Sequence, residues 1–260
     1  MKSNVKMPAV FIGHGSPMNI IYNNPYTQSL VKLANDLPVP ENILVISAHW
    51  LTRGTFLMKT DAPSQIYDFS GFPKELYAVK YPAKGNSALA ESIKKELKVD
   101  HVRTSGDWGI DHGAWSVLKH MYPEANIPVI QLSLDITKPP EYHYQLGKML
   151  GFLRDKNVLV IGSGNIVHNL RLVDFDHIDG TVISWAERFD EKVKKSLIAG
   201  DHQALINYRD LPSHENAIPT LDHYLPLLYI AGMQSNGDEV SFPFEGFQHT
   251  TLSMRSVKVG

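Results

Sequence analysis

Short apolar runs alternate along the chain with segments whose apolar residues recur every three or four positions. The runs lie at 9–13, 43–48, 55–58, 128–134 and 158–161, and each reads as a buried strand. Between them, 24–37 places Leu30, Leu33 and Leu37 on one helical face, and 86–97 carries Leu89, Ile93 and Leu97 at a spacing of four. Helical patterns follow at 139–153, 184–198, 202–208 and 220–233, and the chain closes on strand-like 240–244 and 250–257. Strands alternating with helices predict an α/β fold: a largely parallel central sheet flanked by helices, mixed at an edge. No Pro/Gly/Ser-rich linker divides the 260 residues, so the pattern predicts a single domain over 1–260.

One segment, 60–85, has neither period. It is rich in proline and in aromatic residues, among them Tyr67, Phe69, Phe72 and Tyr77. A loop this long inside a compact domain is usually functional or a misread element. Its aromatic content argues against a disordered linker. It reads either as a rigid aromatic border to a pocket or as a flap tucked over the core.

Composition narrows the chemistry. With no cysteine, the chain has no disulfide, no thiolate metal site, no iron–sulfur cluster and no cysteine nucleophile. A net charge of −2 argues against nucleic acid as a partner. The longest apolar runs, such as 224–233, are too short to span a membrane. The first residues, Met1 to Lys6, carry charge but no apolar stretch, so no secretory signal is expected and the default location is cytoplasmic.

The unusual count is twelve histidines, and any metal site must be built from imidazole and carboxylate. His14 stands in Gly13-His14-Gly15-Ser16-Pro17, where the first strand ends, and His49 stands in Ser47-Ala48-His49-Trp50, at the predicted end of the second. Ligands of α/β sheets bind beyond the carboxyl ends of the strands, so both imidazoles are aimed at the usual site, on what the pattern takes to be neighbouring strands. His168 follows the strand at 158–161 through Gly162-Ser163-Gly164-Asn165-Ile166-Val167. The Gly-x-Gly there lacks the third glycine of a dinucleotide loop and reads as a tight turn. His112 lies in Asp107-Trp108-Gly109-Ile110-Asp111-His112-Gly113, leading into a short helix. His223 falls in the first turn of a helix capped by Thr220, where the helix dipole favours neutral imidazole. His101, His120, His143, His177, His202, His214 and His249 read as surface or structural residues, with His177 beside Asp174, Asp176 and Asp179.

Together these blocks resemble class III (LigB-type) extradiol ring-cleavage dioxygenases, and within them the DOPA 4,5-dioxygenase branch with its bacterial homologues. Ile66-Tyr67-Asp68-Phe69-Ser70-Gly71-Phe72-Pro73 and Asp222-His223-Tyr224-Leu225-Pro226-Leu227 complete six blocks in family order, spanning almost the whole chain. The resemblance implies His14, His49 and His223 as ligands of a divalent metal, and His112 as an acid–base residue. It implies His168 at the metal's edge, as acid–base residue or fourth ligand. Many class III enzymes place a carboxylate where His223 stands. A set of neutral imidazoles suits Zn²⁺ at least as well as Fe²⁺. Zinc is therefore expected in the protein as isolated, with Fe²⁺ for dioxygenase activity, since zinc has no redox couple to pass electrons to O₂.

The reaction implied is 4,5-type ring opening of a catechol such as DOPA by O₂, giving a semialdehyde. A histidine would remove a catechol proton and an imidazole would return one as the O–O bond breaks. Ser16, Tyr67 and Phe72 are the candidate substrate contacts by motif proximity, with Asn19 and Asp68 as further partners for an amino-acid tail. Two other readings of the same histidines stand beside this one: a zinc hydrolase, and a non-enzymatic binding protein on the same scaffold.

Overall fold

The computed structural model describes residues 6–260, so Met1–Val5, on which most of the leader reading rests, lie outside the described residues. The strands are β1 (Ala9–Gly13), β2 (Asn42–Thr52), β3 (Thr55–Met58), β4 (Val102–Ser105), β5 (Val129–Asp135), β6 (Val158–Gly164), β7 (Val240–Phe244), β8 (Phe247–Gln248), β9 (Leu252–Ser253) and β10 (Ser256–Val259). The helices are α1 (Pro25–Asp36), α2 (Lys74–Ala78), α3 (Ser87–Leu97), α4 (His112–Met121), α5 (Pro140–Leu150), α6 (Ser184–Ala199), α7 (His202–Ile206), α8 (His214–Ala217) and α9 (Leu225–Gly232).

Eight strands form one sheet in the order β4-β3-β5-β2-β6-β1-β10-β7, with β8 and β9 as a separate antiparallel pair. The centre, β5-β2-β6-β1, is parallel. Both flanks turn antiparallel, β3 against β5 on one side and β10 against β1 on the other. Every residue of β1, β5 and β6 is buried, which is why these strands read as continuous apolar runs rather than alternating ones. Helix α1 is fixed at its start by a capping box between Asn24 and Thr27, with Pro25 in the first turn. It buries Tyr26, Leu30 and Leu33. Among the described residues no helix is long and apolar enough to cross a membrane.

Five expectations need correction. First, β1 and β2 are not neighbours: β6 runs between them, because strand order is set by crossovers that periodicity does not encode. Second, β2 continues past Ala48 to Thr52, and its register against β5 shifts between Ile46 and Leu51, so His49 lies in a bulge rather than beyond a strand end. Third, α9 starts at Leu225, so Thr220 is not its cap and His223 lies in the turn before it. Pro226 explains this, since proline is accommodated in the first turn and not further in. Fourth, 60–85 holds the short helix α2 and a single bridge between Gln65 and Ile110. Fifth, the last predicted strand is not continuous: positive φ at His249 and Thr250 puts its start in the turn between β8 and β9, and Met254 and Arg255 separate β9 from β10. Strand β4 gave no sequence signal, being four residues long with only Val102 buried.

Candidate metal centre

Three sheet elements and two helix starts bring five histidines together. His14 follows β1 directly, and its backbone N–H donates to the Gly164 carbonyl at 2.9 Å. His49 is thrown out by the β2 bulge, where its backbone N–H donates to Ser47 Oγ at 3.2 Å. Ser47 in turn donates to Asp111 Oδ1 at 2.7 Å. Gly113 has no side chain to fill the space the His49 ring and Ser47 occupy; a Cβ there would collide with both. His223 is pinned from behind: the Asn165 N–H donates to its carbonyl at 2.9 Å, and Gly164 has no Cβ to hold that carbonyl off β6.

The rings of His14, His49 and His223 form a nearly equilateral triangle, with centroids 5.1, 5.2 and 5.1 Å apart. Three imidazoles bound through nitrogen at about 2.0–2.1 Å in tetrahedral directions have centroids about 5.2 Å apart. The Nε2 atoms of His14 and His49 are 3.2 Å apart, against about 3.3 Å for two tetrahedral ligands. Each ring also has a partner at Nδ1, leaving Nε2 for the ion. His14 faces Ser163 Oγ at 2.9 Å, His49 faces Asp68 Oδ2 at 3.1 Å, and His223 faces the Asp222 carboxylate in a short contact. This is the outer shell that metal-binding histidines ordinarily have. The residues present fit a divalent ion.

His112 opens α4, which Asp111 caps by accepting from the Ala114 N–H at 3.1 Å. Asp68 grips it twice: Oδ1 accepts from the backbone N–H at 2.8 Å, and Oδ2 lies 2.9 Å from Nδ1. One carboxylate oxygen thus touches both His49 and His112, whose rings are 4.0 Å apart. His168 is anchored by its backbone N–H to the Ala217 carbonyl at 3.0 Å, and its ring stacks on His223 at 3.5 Å with planes 4° from parallel. Potential ligand atoms fall into two groups, each within 4.8 Å: His14, His49 and His112, and His168, Asp222 and His223.

The electrostatics keep most of these rings neutral. Burial, and then the neighbouring histidines His49, His223, His112 and His168, hold His14 well below the ordinary imidazole range. Burial and the adjacent His223 push His168 down to about 2. Burial leads in lowering His112 and His223 as well. Burial opposes the charge on His49 too, but contact with Asp68 and the nearby Asp111 outweigh it and raise its pKa. Partial desolvation works against the charge on the Asp68 and Asp222 carboxylates, yet their histidine partners hold both below the usual carboxylate range. The result is a cluster of imidazole lone pairs backed by ionised carboxylates, suited to receive a cation.

The aromatic segment reaches this centre through Asp68 and Phe69. The Phe69 ring stands edge-on to His112 at 5.3 Å. Phe72 packs edge-on to Phe69 at 5.4 Å, one ring further out. Tyr67 contacts Phe69 and Trp115, while its hydroxyl donates to the Val79 carbonyl at 2.7 Å. Ser16 caps the short 3₁₀ turn Pro17–Ile20, accepting from the Met18 N–H at 3.3 Å. Asn19 pairs with the Gln248 amide at 2.9 and 3.0 Å. Sequence reasoning missed Ser163 and gave Asp68 to the substrate. It noted Asp222 only as a neighbour of His223. Of the remaining histidines, His143 is buried against Tyr229, His202 bridges Tyr144 and Gln234, and His120 meets the Asn19 carbonyl. His177 meets Asp174, but among the described residues no three-ligand group forms there.

Residues 8–260 match the family described as the catalytic LigB subunit of aromatic ring-opening dioxygenase. The chain is 44% identical to 4,5-DOPA dioxygenase extradiol of Escherichia coli, over 99% of this chain and 96% of that one. It is 36% identical to 4,5-DOPA dioxygenase extradiol of Beta vulgaris, over 99% and 97%. Its fold is similar to the crystal structure of an uncharacterized protein from Escherichia coli K12, with a TM-score of 0.86 and 41% identity over 98% of this chain and all of that one. A family match over nearly the full length, with relatives 44% and 36% identical over 99% of the chain, places this chain in the LigB family of extradiol aromatic ring-opening dioxygenases.

Proposed function

We propose that the substrate is a catechol carrying a side chain para to one hydroxyl, DOPA among them, opened at the 4,5 bond on a divalent ion held by His14, His49 and His223. The observation that carries the ligand assignment is the 5.1–5.2 Å triangle of rings, each with Nδ1 occupied from behind. The relatives named for 4,5-DOPA cleavage support the substrate class. Held by His14, His49 and His223, a redox-capable ion such as Fe²⁺ would supply Lewis acidity for the diol and electron density for O₂, the second of which zinc would not supply.

The chain's own groups handle position and protons. Phe69 gives a flat ring an apolar wall beside His112. His112 is neutral and accepts a catechol proton; Asp68 then stabilises the imidazolium, as the carboxylate of a hydrolase triad does. His112 holds that proton until the ring opens and then returns it. His168, neutral and without a carboxylate of its own, serves as a base on the His223 side of the triangle. The carbon–carbon bond beside the diol breaks, and both atoms of O₂ enter a product bearing one carboxylate and one aldehyde.

The test is anaerobic loading with Fe²⁺, followed by O₂ and a panel of catechols with and without a para amino-acid side chain. Incorporation of both atoms of labelled O₂ into a ring-opened product, with preference for the side-chain-bearing catechols, is expected. The zinc-loaded protein is expected to consume no O₂. Absence of turnover with every catechol, together with ester or amide cleavage by the zinc form, would instead select the hydrolase reading.

A further inference from the structure

The Gly162-Ser163-Gly164 segment, whose glycines first suggest a nucleotide loop, has a use that the metal ligands alone do not reveal. Ser163 is fully buried near the end of β6, the strand between those that carry His14 and His49. It pairs in register with Ile12 on one side and Ser47 on the other. Its hydroxyl donates to the Gly113 carbonyl at 2.6 Å, and the same oxygen lies 2.9 Å from His14 Nδ1. A hydroxyl has one proton, and a carbonyl can only accept. With that proton given to Gly113, the serine presents lone pairs to His14, and Nδ1 must carry a hydrogen to meet them.

We propose that Ser163 is a positioning residue that holds the His14 proton on Nδ1 and so keeps Nε2 free to bind the metal. This rests on the reading of His14 as a ligand. The competing state is specific. With its proton on Nε2, His14 would donate across the 3.2 Å gap to His49 Nε2, tying up two ligand atoms in one hydrogen bond. Ser163 removes the reason for that tautomer by making Nδ1–H the better-satisfied donor. Gly113 completes the device: its own carbonyl is the acceptor, and its missing Cβ lets the backbone lie against Ser47 and the His49 ring.

The experiment has two readouts on metal-free protein. Long-range ¹H–¹⁵N correlation spectra at neutral pH report the His14 tautomer directly. Wild type is expected in the Nδ1–H form and Ser163→Ala shifted toward Nε2–H. Competition titration with Zn²⁺ is expected to show affinity lowered about 10–100-fold in Ser163→Ala, and largely restored in Ser163→Thr, which keeps the hydroxyl. Wild-type His14 in the Nε2–H form would overturn the proposal, whether or not the variants fold. So would wild-type Zn²⁺ affinity in Ser163→Ala when His14→Ala has lost it. Wild-type affinity in His14→Ala as well would instead overturn the ligand reading itself, and the proposal with it.

Discussion

The imidazoles of His168 and His223 lie face to face, 3.5 Å apart and within 4° of parallel. A metal bound by imidazole lies in the plane of the ring. An ion held in the plane of His223 would therefore lie off the parallel plane of His168. The two adjacent histidines cannot both be good ligands in this arrangement, and His223 alone has a carboxylate behind its Nδ1. On the proposed reading, the stack separates a ligand, His223, from a proton-handling group, His168.

The variants His168→Ala and His223→Ala should accordingly fail in different ways. His168→Ala is expected to keep its metal and lose about 10²–10⁴-fold in turnover, the usual worth of one acid–base group. His223→Ala is expected to lose metal and activity together. Metal content and catechol cleavage, measured side by side after Fe²⁺ loading, decide it. Metal loss in His168→Ala would make it a ligand first, and full activity would remove its role.

Asp68 should be worth more than either histidine it touches suggests. Asp68→Asn removes the charge shared by His49 and His112, so Zn²⁺ affinity should fall about tenfold or more. Fe²⁺-loaded turnover should fall further, by about 10²-fold or more. His112→Ala should lower turnover while leaving Zn²⁺ affinity within a few-fold of wild type. Equal Zn²⁺ affinity in Asp68→Asn and wild type would show that the His49 contact does not support the ligand.

Outside the histidine cluster, His143 gives a pH signature of stability. It is fully buried with Nδ1 3.0 Å from the Tyr229 hydroxyl, and burial pushes its pKa down to about 4. Unfolded, its pKa returns to about 6.5. Between these values the unfolded chain binds a proton that the folded chain refuses, so this contribution to stability is lost as pH falls through that window. Urea unfolding should show wild type losing about 2 kcal/mol more than His143→Gln between pH 7 and pH 5. Parallel pH profiles for the two proteins would contradict the assignment.

The histidines were legible because local pattern changes around them: His14 where an apolar run stops, His112 where a helix opens behind Asp111, and His168 past a Gly-x-Gly that reads as a tight turn but instead carries β6 on to Gly164. Their supports were not. Asp68 meets His49 and His112 across 19 and 44 positions of chain, and Ser163 meets His14 across 149, distances over which sequence carries no periodic signal. The start of α9 is readable from Pro226, whereas extending the apolar period back to Thr220 puts it too early. The separation of β1 from β2 by β6 follows from crossover topology, which the order of the runs leaves open.

On the proposed reading, His14, His49 and His223 hold the ion while His112 and His168 stand free of it. Anomalous diffraction from a crystal of the zinc-loaded protein tests it in one measurement. A single peak is expected about 2.0–2.1 Å from Nε2 of each of the three, with His112 and His168 outside bonding distance. A peak on His14, His49 and His112 with His223 unbound, or one closed by His168, would contradict it.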